Sequence, residues 1–192
     1  MMNDMRSAMV YLLGEVRRTE GQAYGRGVLA ASHILPLQHR LLSLVSPKDD
    51  DAQQKVDILR LGCTLFIAEV RRLFGIPGVL SSFQTEKLRG LLEVQTHGWE
   101  PFALLKTWVL AMGAMESRGD DRAWFFGELE KSKTELGVDS WECLQAKFRQ
   151  ILWYDDVHDQ IFLELCNGVE PVDTAGQLLG GSRFGGYRPL PL

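Results

Sequence analysis

Residues 53–74 read Gln-Gln-Lys-Val-Asp-Ile-Leu-Arg-Leu-Gly-Cys-Thr-Leu-Phe-Ile-Ala-Glu-Val-Arg-Arg-Leu-Phe. Val56, Leu59, Cys63, Phe66, Ile67 and Val70 recur at three- and four-residue intervals, which puts them on one stripe of an α-helix. The spacing predicts a single long helix over this stretch. Gly75-Ile76-Pro77-Gly78 stops it, because glycine accepts a left-handed cap and proline cannot continue the ladder.

The same periodicity recurs on either side. Met5, Met9, Leu12, Leu13 and Val16 predict a first helix, and Leu37, Leu41, Leu44 and Val45 a second with Pro36 in its first turns. Downstream, Ser82 opens a helix with Leu88, Leu91 and Leu92 inward. Pro101 starts one whose buried face is Phe102, Leu105, Val109, Met112 and Met115. Trp124, Phe125 and Leu129 mark another after Gly119-Asp120. Asp139 or Ser140 caps a helix with Trp141, Leu144, Phe148 and Ile151, and Asp155 caps a last one with Val157, Ile161 and Leu165. No stretch alternates with strand period. The expected fold is all-α, one domain over residues 1–170 with seven to nine packed helices. Residues 171–192, where Gly and Pro accumulate, are expected to form an extended or mobile tail.

Composition narrows the function classes. The chain has 192 residues and a net charge of −4, so it carries no electrostatic footprint for nucleic acid. Three cysteines without a CxxC argue for free thiols over a disulfide framework or structural zinc. No secretory leader and no apolar run of spanning length is read, and the expected compartment is the cytoplasm. No GxSxG, P-loop or dinucleotide fingerprint is present.

Several segments carry a resemblance in order and spacing. They are Leu59-Arg60-Leu61, Ala68-Glu69-Val70-Arg71-Arg72-Leu73-Phe74-Gly75 and Leu105-Lys106-Thr107-Trp108-Val109-Leu110-Ala111-Met112-Gly113. Asp121-Arg122-Ala123-Trp124 and Leu152-Trp153-Tyr154-Asp155-Asp156-Val157-His158 follow. Together they resemble the C-terminal regulatory domain of fungal zinc-cluster transcription factors. The resemblance implies an all-α domain that regulates, senses or makes dimer contacts. It implies no catalytic residues. In that pattern Glu69, Arg71, Arg72 and Gly75 form an ion-pairing helix end, and Arg122 is an interhelical anchor whose guanidinium pairs a carboxylate and can also stack on a ring. The zinc cluster needs six closely spaced cysteines, and Cys63, Cys143 and Cys166 cannot supply it. Direct nucleic-acid binding is therefore not expected of this chain.

The densest polar cluster is Asp155, Asp156, His158 and Asp159. A helix places Asp155, His158 and Asp159 on one face, where a carboxylate raises an imidazole pKa toward a usable proton shuttle. The competing reading is a helix start whose Asp residues cap free N–H groups and offset the dipole. His97, ahead of Gly98 and Trp99, is a candidate pocket rim. Trp99, Trp108, Trp124, Trp141 and Trp153 are core packing or an aromatic wall around a bulky apolar ligand, with Met112, Met115 and Phe125 completing the wall.

Two functions are carried forward. The first is a cofactor-independent cyclase or isomerase of fungal specialised metabolism that positions a bulky apolar metabolite. Trp108, Met112, Met115, Trp124 and Phe125 would bind it, His158, His97 and Asp155 would be the catalytic candidates, and no cofactor or metal is required. The second is a transcriptional regulator or co-regulator that senses a metabolite or binds a partner, located in the nucleus. A homodimer is a further expectation, and membrane insertion is not expected. A solid core where the pocket is proposed favours the second.

Overall fold

A computed structural model describes residues 34–36, 38–43, 50–73 and 81–169. The first predicted helix, Gly75 and the tail beyond residue 170 lie outside these residues. The described residues are predominantly helical and contain no strand. Residues 34–36 and 38–42 are helical, with Ile34 and Leu41 buried. Then follow α1 (Asp50–Leu73), α2 (Ser82–Val94), a 3-10 turn (Glu100–Phe102), α3 (Ala103–Glu116), α4 (Gly119–Glu135), α5 (Trp141–Ile151) and α6 (Asp155–Cys166). No helix among the described residues is long and apolar enough to cross a membrane.

The centre of the molecule is α3. Every residue from Thr107 to Met115 is buried, as expected of a helix that is apolar all round. All five other α-helices pack against it. Two glycines set the closeness of that packing. A Cβ at Gly62 of α1 would lie 2.8 Å from Val109 of α3, and one at Gly113 of α3 would lie 2.5 Å from the Phe125 ring of α4. Gly113→Ala is expected to cost about 1–3 kcal/mol through overpacking. A thermal melt checks it, and an unchanged midpoint would show that α3 and α4 do not meet there.

Local chemistry explains some of the boundaries. Asp50 and Asp51 open α1, and Arg71 and Arg72 close it, matching the helix dipole at both ends. Ser140 caps α5, its Oγ accepting from the Cys143 N–H at 3.2 Å. Two expectations are corrected. Phe102 belongs to the 3-10 turn, ahead of the helix whose buried face it is expected to join, and is half exposed. Asp155 is not the cap: Tyr154 occupies that position and makes no side-chain cap hydrogen bond.

Candidate functional site

The five residues expected to wall an apolar pocket sit on α3 and α4. Trp108, Met112, Met115 and Phe125 are all buried, and Trp124 is partly buried. Trp108 donates its Nε1–H to the Leu152 carbonyl at 2.7 Å, and its ring lies 6.2 Å from that of Phe66. The Phe125 ring occupies the space beside Gly113 and meets Trp124 edge-on at 5.0 Å. The Phe66 contact joins α1 to α3 and the Phe125 ring joins α4 to α3, while the Phe125–Trp124 contact lies within α4. Trp141 of α5 packs on Phe126 of α4 and Phe162 of α6, and Trp153, between α5 and α6, packs on Phe148, His158 and Phe162.

The three catalytic candidates do not converge. His97 is exposed in the loop after α2. That loop is fixed by its neighbours: Trp99 Nε1–H donates to the Gln95 carbonyl at 3.0 Å, and the Gln95 amide donates to Asp51 at 2.5 Å and to the His97 carbonyl at 3.0 Å. Asp155 is exposed and accepts from Arg149 Nε at 2.7 Å. Asp159 takes Arg149 at 2.9 Å, Gln145 at 2.7 Å and Trp153 Nε1–H at 2.7 Å. The start of α6 is thus tied to α5 by its carboxylates.

His158 turns the other way. It is wholly buried, stacked on Phe66 with ring centroids 4.8 Å apart. Its Nδ1 lies 3.1 Å from the Tyr154 N–H and 2.9 Å from the Tyr154 carbonyl, so that nitrogen is engaged in either tautomer. Nε2 is buried with no hydrogen-bond partner. The proton-shuttle expectation required a raised pKa, and the shift runs the opposite way. Burial pushes the imidazole down to about 4, against the weaker upward pull of the Tyr154 backbone and of Glu116, Asp159 and Asp155. His158 is neutral at pH 7 and cannot act as an imidazolium acid.

Arg122 anchors neighbouring elements through backbone carbonyls. It is buried, and its guanidinium donates to the carbonyls of Ala114 at 3.1 Å and Val169 at 2.8 Å. It therefore ties the end of α3 to the segment after α6. The cation over the Trp124 ring is Arg89, 5.2 Å from the centroid, and Arg89 also bonds Asp121 at 2.8 Å.

A second polar cluster lies at the ends of α1 and α3. Glu69 and Arg72, one helical turn apart on α1, meet Glu116, the last residue of α3. Arg72 grips Glu116 with both terminal nitrogens, at 2.6 and 2.7 Å, and its Nη1 lies 2.7 Å from Glu69 Oε1. The Glu116 side chain is 1% exposed and that of Glu69 9%, while Arg72 is 39% exposed. Two buried carboxyl groups are therefore roofed by one partly solvated guanidinium. Burial and the neighbouring Glu116 push Glu69 up to about 8. Glu116 is held below its ordinary value: burial alone would raise it, but hydrogen bonds from Arg72, Glu69 and Ser81 prevail. At pH 7 Glu69 is the protonated partner. Ser117, next in the chain, has a buried hydroxyl with no hydrogen-bond partner.

The Glu69–Arg72 pair was readable from the sequence; Glu116 was not. A signal existed, since Glu116 follows buried Met112 by four residues and Val109 by seven, which puts it on their face. Burial also pushes the Cys63 thiol up to about 12, and Cys166 rises to about 12 for the same principal cause, so neither is a thiolate nucleophile at neutral pH. No family model, curated protein or solved structure matches this chain.

Proposed function

We propose that this chain is a non-catalytic helical domain that regulates by binding a partner, as the resemblance to fungal zinc-cluster regulators implies. The observation that carries this reading is the seating of Trp108, Met112 and Phe125. Their surface, which a cyclase or isomerase would turn toward a metabolite, is spent on contacts between helices. A positioning catalyst also needs its polar groups gathered around one volume. Here His97 and Asp155 are on the surface and His158 is in the core.

A face open to a partner lies on α2. Phe83, Gly90 and Val94 follow one another at intervals of seven and four, which keeps them on one side of the helix. Phe83 is 70% exposed and Val94 71%, and Gly90 has open space beyond it. Exposed Glu86 and Lys87 flank them. An apolar helix face rimmed by charge suits an amphipathic partner segment. This reading carries a nuclear location with it.

The test is a fusion to a heterologous DNA-binding module. Reporter output should change relative to the module alone, and Phe83→Asp combined with Val94→Asp should abolish the change while helical circular dichroism is retained. An output indifferent to both substitutions would reject the α2 face. Turnover of an apolar metabolite by the pure protein would reject the non-catalytic reading.

A further inference from the structure

We propose that Glu69, Glu116 and Arg72 form a proton-operated latch that fastens the end of α1 to the end of α3 and, through Ser81, to the start of α2. The geometry makes the demand. One nitrogen, Arg72 Nη1, lies 2.6 Å from a Glu116 oxygen and 2.7 Å from a Glu69 oxygen, so the two carboxyl groups are immediate neighbours. Both side chains are buried and share the Arg72 guanidinium. Two like charges in such a site cannot both persist, and one proton stays between them.

Among the described residues, charged groups on the neighbouring helices make contacts of their own. On α6, His158 is neutral in its buried position, and Asp155 and Asp159 are held by Arg149 of α5. On α4, Arg122 reaches the Ala114 and Val169 carbonyls, and Arg118 precedes the helix at an exposed position. On α2, Arg89 pairs with Glu93 and Asp121. Arg71, beside Arg72, reaches toward Gln38 at 3.5 Å. Ser81 hydrogen-bonds Glu116 and lowers its pKa. Ser81 stands at the cap of α2, two residues before Phe83. The latch therefore secures the helix proposed to meet a partner, although it stands whether or not that partner exists.

The sign follows from which state holds the proton. The unfolded chain releases Glu69's proton near pH 4.3, whereas the folded chain keeps it until about pH 8. Between those values the folded state binds one more proton, so stability falls as pH rises and levels off above about 8. His158 acts oppositely, stabilising as pH rises between about 4 and its unfolded value near 6.5. The latch is therefore seen alone between pH 6.5 and 8.

The experiment is urea denaturation of the full chain and of Glu69→Gln across that interval. The carboxamide of that variant donates to Glu116 and accepts from Arg72 as the protonated acid does, but cannot ionise. The wild-type folding constant should drop about fifteen-fold relative to the variant, and equal pH profiles would overturn the proposal. Carboxyl 13C titration of the wild-type protein gives a second reading that needs no variant to fold. One of the two glutamates should remain protonated at pH 7, and two ionised groups there would refute the latch.

Discussion

Trp108→Ala is expected to destabilise the fold by about 4 kcal/mol. Truncating a fully buried tryptophan costs about 3–5 kcal/mol from lost contacts and the cavity left behind. The substitution also strips the Leu152 carbonyl of the indole N–H that meets it at 2.7 Å, and an unpaired buried carbonyl adds to the loss. Trp124→Ala should cost far less, about 1–2 kcal/mol, because the ring is partly exposed and is held by an edge contact to Phe125 and by Arg89 above it. Urea denaturation of the two variants separates the readings. If these rings walled a pocket, both variants would stay near wild-type stability and lose a ligand. An unchanged midpoint for Trp108→Ala would remove the packing account on which the non-catalytic function rests.

Helices were legible here because their apolar positions repeat. Cys63, Phe66, Ile67 and Val70 are buried as their spacing indicates, and Ser140 caps α5 as its residue type suggests. What the periodicity understates is breadth. Ile58, Leu65 and Glu69 are buried too, because α1 is wrapped by α2, α3 and α6 and buries more than one stripe. His158 shows how a local pattern misleads. Its spacing of three from Asp155 suggests one acidic face. Its spacings of four from Phe162 and seven from Leu165 point it to the core, and burial wins because two large apolar neighbours occupy that side. The acid pair was hidden by distance along the chain. Glu69 and Glu116 each read as an ordinary charge near a helix end, and only tertiary packing makes them neighbours.

Arg72→Met should produce a destabilisation that depends on pH in a specific way. At pH 7.5 the variant leaves Glu116 and Glu69 buried without their cation. Breaking a fully buried ion pair from one side costs about 3–5 kcal/mol. Because the guanidinium is 39% exposed, water already screens part of its attraction, and about 3 kcal/mol is expected. Both carboxyl groups then gain by taking up protons: Arg72 is the chief partner keeping Glu116 acidic, so its removal raises that pKa as well. The folded variant would hold two protons where the unfolded chain, with carboxyl pKa values near 4.3, holds none at pH 7.5. Its stability should therefore recover as pH falls, and the deficit against wild type should shrink to about 1 kcal/mol or less near pH 5. Denaturation of both proteins at pH 5 and 7.5 measures this. A deficit of equal size at the two pH values would mean that Arg72 contributes packing through its aliphatic stem and does not neutralise the acid pair.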